Sequence, residues 1–155
     1  GDEIELAELK AGDVFGEEAL VAETTRNATV IMITDGSLLR LGKTDFIALM
    51  REPLLHGVSP ESAQEKAAAG AIWLDVRFPA EFQFDGIAGA INIPLSEIRN
   101  AFGALDLSKE YLVYCQSGRR SSAAVFLLAQ RGFQTCLLEG GIWPTVEPMG
   151  LEVEP

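Results

Sequence analysis

The sequence predicts an α/β protein, a mostly parallel sheet flanked by helices, preceded by a short β-rich segment. Three observations carry this. From about residue 58 apolar, β-forming runs alternate with helical patterns, the order that builds parallel sheets with helices on both faces. The run Tyr111 to Tyr114 ends at a cysteine, and a polar, glycine-containing loop then leads into an apolar helix. Residues 1 to 50 lack this alternation and read as β-rich instead.

In that first segment Glu3 to Leu9 is mixed, Ala28 to Thr34 reads as a strong strand, and Ser37 to Leu41 as another after the Asp35-Gly36 turn. Thr44 is placed to cap a short helix over Asp45 to Met50. Pro53, Gly57 and Ser59-Pro60 punctuate a linker, so the division is residues 1–50, a linker over 51–57, and a second unit over 58–155. Ser59 caps a helix with Pro60 at its first position, which runs to about Ala69 and stops at Gly70. A buried strand over Ile72 to Val76 follows, then a short helix over Pro79 to Phe84. Ile91 to Ile93 is a third apolar run, Leu95 to Phe102 a short helix, Tyr111 to Tyr114 the strand before the cysteine, and Ser122 to Arg131 its helix. Thr135 to Leu138 is one more strand before Gly140-Gly141.

Composition narrows the function. At 155 residues and 48% hydrophobic content the chain is long enough to bury a core and to be an enzyme. The net charge of −11 argues against non-specific binding to nucleic acid or to an anionic membrane surface. Lys/Arg against Asp/Glu is 4 to 10 over residues 1–50 and 8 to 13 over the rest, so the acidity is general. No apolar run reaches transmembrane length. Cys115 and Cys136 make neither a disulfide framework nor, without clustered histidines, a metal site. A reducing, cytoplasmic setting is expected. A start at Gly1 within patterned sequence suggests a piece of something longer.

The chemistry centres on Cys115-Gln116-Ser117-Gly118-Arg119-Arg120-Ser121. A loop between a strand and a helix lies at the carboxyl end of the sheet, where backbone N–H groups converge near the helix N-terminus. Those amides, the helix polarity and the charge of Arg119 and Arg120 favour a thiolate and attract anions, and Gly118 lets the backbone close around a sulfur. Cysteine phosphatases also place a cysteine before a helix, but they space cysteine and phosphate-gripping arginine by five residues. That position here is Ser121, and Arg120 falls one residue early. Cys136, inside a β pattern, reads as core.

Around this loop stand Trp73-Leu74-Asp75-Val76-Arg77, Glu81-Phe82, Gly89-Ala90-Ile91-Asn92-Ile93-Pro94 and Leu138-Glu139-Gly140-Gly141-Ile142-Trp143. In this order they resemble a rhodanese-type sulfurtransferase domain over residues 58–154. The resemblance implies a rhodanese-like fold and a Cys115 persulfide that moves sulfur from a small anionic donor such as thiosulfate to a thiol, cyanide or protein acceptor, with no cofactor or metal required. It also implies that Arg120 turns toward Asp75, that Arg119 is freer to meet substrate, and that Arg77 braces the fold.

Residues 1–50 carry a second resemblance, to the C-terminal half of a cyclic-nucleotide-binding domain, on Gly12-Asp13-Val14-Phe15-Gly16-Glu17, Arg26-Asn27-Ala28-Thr29-Val30, Leu38 to Leu41 and Asp45-Phe46. It implies a partial β-roll in which Arg26 meets a cyclic phosphate and Glu17 a ribose hydroxyl, with Gly16 and Asn27 beside them, in the full-length parent. A partial roll leaves apolar faces open, so this segment is expected to pack on the second unit or to form a homodimer. The alternative to an enzyme is a cyclic-nucleotide-linked regulatory, sulfur-carrier or docking module without fast turnover.

Overall fold

The structure, a computed structural model, describes residues 8–21, 25, 26, 28–51 and 54–142. Asn27 and Trp143 lie outside the described residues. The centre of the molecule is a five-stranded, all-parallel sheet in the order β1-β5-β4-β2-β3: β1 (Gly57–Val58), β2 (Ile72–Asp75), β3 (Ile91–Asn92), β4 (Glu110–Tyr114) and β5 (Gln134–Leu138). β4, at the middle, pairs in register with β2 from Ile72↔Tyr111 to Asp75↔Tyr114, and with β5 from Glu110↔Gln134 to Val113↔Leu137. Gly57, expected in the linker, already belongs to β1 and pairs with Leu137.

Parallel strands covered on both faces have to be apolar on both, and alternate residues show it. Tyr111, Val113 and Cys115 join Leu74, Val76, Ile98, Ala124, Val125, Leu127 and Leu128 on one face. Leu112 and Tyr114 join Ala63, Cys136, Leu138 and Ile142 on the other. The first face is covered by α6 (Arg119–Gln130) and α5 (Ile98–Ala101), the second by α3 (Pro60–Ala68). α3 starts as its sequence dictates: Ser59 accepts a hydrogen bond from the Ser62 amide, Pro60 sits at the first turn, and Gly70 follows with φ +107°. Pro79 opens α4 (Pro79–Asp85) in the same way. The helix expected over Leu95 to Phe102 is α5 flanked by 3₁₀ turns at Leu95–Glu97 and Phe102–Ala104.

The N-terminal segment departs from expectation in three places. Residues 28–34 and 37–41 form no strand, and Val30, Ile31, Met32, Ile33, Leu38 and Leu39 are at least half exposed. A β-prone run becomes a strand only beside a neighbour that completes its ladder, and no described residue supplies one. Thr44 is not the cap: α2 (Lys43–Phe46) begins after Gly42 and continues as a π-helical turn, Ile47–Arg51. Helix α6 begins at Arg119, three residues before the apolar pattern shows it, because its first turn is made by the polar loop residues themselves.

The segment does pack on the second unit. Phe46 is buried against Phe126 of α6, ring centroids 5.2 Å apart, with Leu20 and Ile47 around them. A short helix, α1 (Glu17–Val21), lies along α6, and the Glu17 carboxylate, 2% exposed, pairs with Arg99 of α5 at 2.5 Å.

Candidate active site

Cys115 is the first residue after β4, and the loop that follows folds back over its sulfur. Gly118 takes the left-handed conformation, φ +86°, that glycine adopts without a Cβ penalty, and this turns the chain into α6. Of the loop amides, those of Gly118 and Ser121 donate to Cys115 Sγ at 3.2 and 3.3 Å, and Ser121 Oγ lies 3.3 Å from the same sulfur. Cys115 and Ser121 are both fully buried. The cysteine therefore touches the apolar core on one side and a polar cradle on the other. Gln116 is half-buried, and Ser117 and Arg119 stand exposed at the mouth of the loop.

The cradle is closed from behind by the turn after β5. The Ile142 amide donates to the Cys115 carbonyl at 2.9 Å. Gly141, φ +76°, lies so close to the loop that a Cβ there would sit 2.4 Å from the Gln116 carbonyl oxygen and 2.7 Å from that of Cys115. Nothing but glycine fits. The double glycine was visible in the sequence, but its role as a clamp depends on β5 lying beside β4.

The expected pairing of Arg120 with Asp75 is corrected by the structure. Arg120 forms a two-pronged ion pair with Glu81 of α4, both bonds 2.7 Å, and lies over the Phe78 ring at 5.7 Å. The hydrogen bonds from Arg120 hold the Glu81 carboxyl down to about 2 against a smaller opposing effect of burial. Glu81 also accepts the Phe78 amide at 3.0 Å, half of a capping box at the start of α4. That spacing, a third-position glutamate after proline, was the signal available for it.

Asp75 is instead taken by Arg77, two residues on. The Arg77 backbone amide, Nε and one terminal nitrogen all donate to the Asp75 carboxylate at 2.8–3.2 Å, and the other terminal nitrogen reaches Asp85 at 2.7 Å. Both Asp75 and Arg77 side chains are wholly buried. Burial alone would weaken the Arg77 charge, but the hydrogen bonds to Asp75 and Asp85 outweigh it and raise its pKa. Its guanidinium also lies over the Tyr114 ring at 5.6 Å, and the Tyr114 hydroxyl accepts the Ile87 amide at 3.0 Å. Through these contacts the Arg77 side chain joins the ends of β2 and β4 to α4.

Cys136 is core, as its pattern suggested: it is 6% exposed, donates to Glu110 at 3.4 Å, and has its thiol pKa pushed up by burial and by that carboxylate. Among the nucleotide candidates, Gly16 and Arg26 are adjacent, since a Cβ on Gly16 would lie 3.3 Å from Arg26 Nε. Glu17 turns away to Arg99. Among the described residues, no group of three or more metal-ligating side chains is present, and no helix is long and apolar enough to cross a membrane.

Comparison with known proteins agrees with this geometry. The family model of the rhodanese-like domain matches residues 59–143, and that of the cyclic nucleotide-binding domain matches residues 1–52. The thiosulfate sulfurtransferase PspE of Escherichia coli (strain K12) is 38% identical over 72 residues, 45% of this chain and 69% of its own length. A thiosulfate sulfurtransferase GlpE from Ectopseudomonas mendocina is 31% identical over 94 residues, 59% of this chain and 86% of its own. Among solved structures, a rhodanese-related protein from Thermoplasma volcanium superposes with a TM-score of 0.54 at 41% identity, covering 57% of this chain and 87% of that one. A strand-end cysteine in an amide cradle, set in a sheet whose matched relatives are sulfurtransferases, leaves one assignment: the chain belongs to the rhodanese-like domain family and is a rhodanese-like sulfurtransferase.

Proposed function

We propose that Cys115 carries the transferred sulfur as a persulfide, taking it from a small anionic sulfane donor such as thiosulfate and passing it to a thiol, cyanide or protein acceptor. The observation that carries this is the convergence of the Gly118 and Ser121 amides on Cys115 Sγ. Donors fixed around a sulfur stabilise negative charge there without reorganising during the reaction. In the first step the thiolate attacks the outer sulfur of thiosulfate, the S–S bond breaks, and sulfite leaves with the electron pair. In the second the acceptor attacks the terminal sulfur and the Cys115 thiolate departs, so two displacements replace one. With Arg120 committed to Glu81, the exposed Arg119 is the cation that draws the donor to the mouth.

Thiocyanate formation from thiosulfate and cyanide tests the reading, together with the intact mass after thiosulfate treatment. The expected result is a gain of one sulfur atom, lost on reduction and absent from Cys115→Ser. Equal turnover by the two proteins would remove the proposed nucleophile.

A second reading adds nucleotide control, supported by the family match over residues 1–52 and by the adjacency of Gly16 and Arg26. Glu17 could serve a ribose hydroxyl only by leaving Arg99, so binding and docking of this segment would compete. Calorimetry with a cyclic nucleotide on the wild type and on Arg99→Ala tests it. Tighter binding by the variant is the expected sign, and no heat from either protein ends this reading.

A further inference from the structure

The Ser121 hydroxyl has two possible partners and one hydrogen. Its oxygen lies 3.1 Å from the Gly118 carbonyl oxygen and 3.3 Å from Cys115 Sγ. The Gly118 carbonyl has two lone pairs, and Ser122 supplies two donors to it, its amide at 2.9 Å and its hydroxyl at 2.7 Å. Ser121 is thus the third and longest contact on an acceptor that is already filled. Its hydrogen is the one least costly to redirect.

We propose that Ser121 is a positioning residue for the sulfur chemistry, a hydroxyl that reverses its hydrogen bond with the charge state of Cys115. With a neutral thiol, the Cys115 S–H donates to Ser121 Oγ, and Ser121 donates to Gly118. When the thiol proton leaves to solvent, Ser121 turns and donates to the thiolate. The sulfur then holds three donors, the Gly118 and Ser121 amides and the Ser121 hydroxyl, at the moment it becomes a nucleophile. Ser122 makes the turn cheap, since the carbonyl that Ser121 abandons stays satisfied. Rotation of a single hydroxyl needs no backbone movement, and both Cys115 and Ser121 are fully buried.

This role rests on Cys115 as the nucleophile, but its test does not depend on turnover. The charged groups on the surrounding elements include Arg119 and Arg120 on α6, Glu81 and Asp85 on α4, the Asp75–Arg77 pair at the end of β2, and Glu139 in the turn after β5. All are left unchanged. The experiment compares the pH dependence of iodoacetamide alkylation at Cys115, read by peptide mass so that Cys136 is scored separately, in two pairs of proteins: wild type with Ser121→Ala, and Ser121→Thr with Ser121→Val. The second pair is matched in shape and differs in the hydroxyl, so it decides the matter if alanine proves unstable. A hydrogen bond to a charged group predicts an alkylation midpoint higher by about one pH unit or more in each protein lacking the hydroxyl. Coincident midpoints within both pairs overturn the proposal. If wild-type protein takes up no sulfur yet the midpoints separate, the persulfide reading fails and the role of Ser121 at the thiolate stands.

Discussion

Removal of the Arg77 guanidinium is the sharpest test of how the site is held. Asp75 and Arg77 are wholly buried and joined by three side-chain hydrogen bonds of 2.8–3.2 Å. Arg77→Met keeps the length of the side chain but strips the Asp75 carboxylate of its guanidinium, leaving it buried with the backbone amide of residue 77 still donating at 2.8 Å. Breaking one side of a buried pair costs about 3–5 kcal/mol, mostly the penalty of the charge left behind. Asp75→Asn is milder, about 1–3 kcal/mol, because an amide oxygen still accepts and the guanidinium keeps Asp85. The double variant buries no charge at this position. Its loss should therefore fall short of the sum of the two singles by about 0.5–3 kcal/mol, the coupling found for groups in direct contact. Urea unfolding followed by far-ultraviolet circular dichroism measures all four proteins. Additive losses would refute the claim that the two side chains stabilise each other as a pair, and a loss below about 1 kcal/mol for Arg77→Met would refute the claim that the brace matters.

Three further outcomes follow from other contacts. The Glu81 carboxyl is held down to about 2 from an ordinary 4.5, so its pair with Arg120 stabilises the fold fully above pH 4.5, and that stability is lost as pH falls through about 2. The stability gap between wild type and Glu81→Gln should accordingly narrow steadily over that window in acid titrations, and a constant gap contradicts it. Gly141→Ala forces a Cβ onto the Gln116 carbonyl and should depress sulfur transfer at least tenfold, about 1.4 kcal/mol of transition-state stabilisation; unchanged kcat/KM would show that the turn does not shape the loop. Phe46→Ala empties the contact with Phe126 and should cost about 3–5 kcal/mol by urea unfolding if the first segment and the sheet unfold together. A small loss with the main transition intact would instead show that the segment separates first.

The sequence made four of the five strands legible because β2 to β5 fall in runs of apolar, β-forming residues between turn signals, and because Ser59-Pro60, Pro79 and Gly70 punctuate the helices by local chemistry. β1, only Gly57–Val58, falls instead where the sequence marks the end of the linker and the start of the second unit. Cys115 was legible for a similar reason: strand, polar loop and helix are contiguous. Arg120 was not assigned correctly, since two acidic side chains, Asp75 and Glu81, lie within reach of plausible arginines, and only the placement of α4 decides which arginine meets which. Residues 28–41 failed for another reason. Their residues favour a strand, but a strand is a relation between two segments, and propensity describes one.

The contact between the Ile142 amide and the Cys115 carbonyl has a consequence for the order in which the protein is made. Synthesis delivers the cysteine, its loop and the following helix before β5 and the glycine turn that presses on them. Until residue 142 has emerged and β5 has joined β4, nothing from that side fixes the loop, and Cys115 is a thiol on an unfinished sheet edge. Reactivity at this cysteine is therefore a late product of folding, set only when β5 and the glycine turn close on the loop.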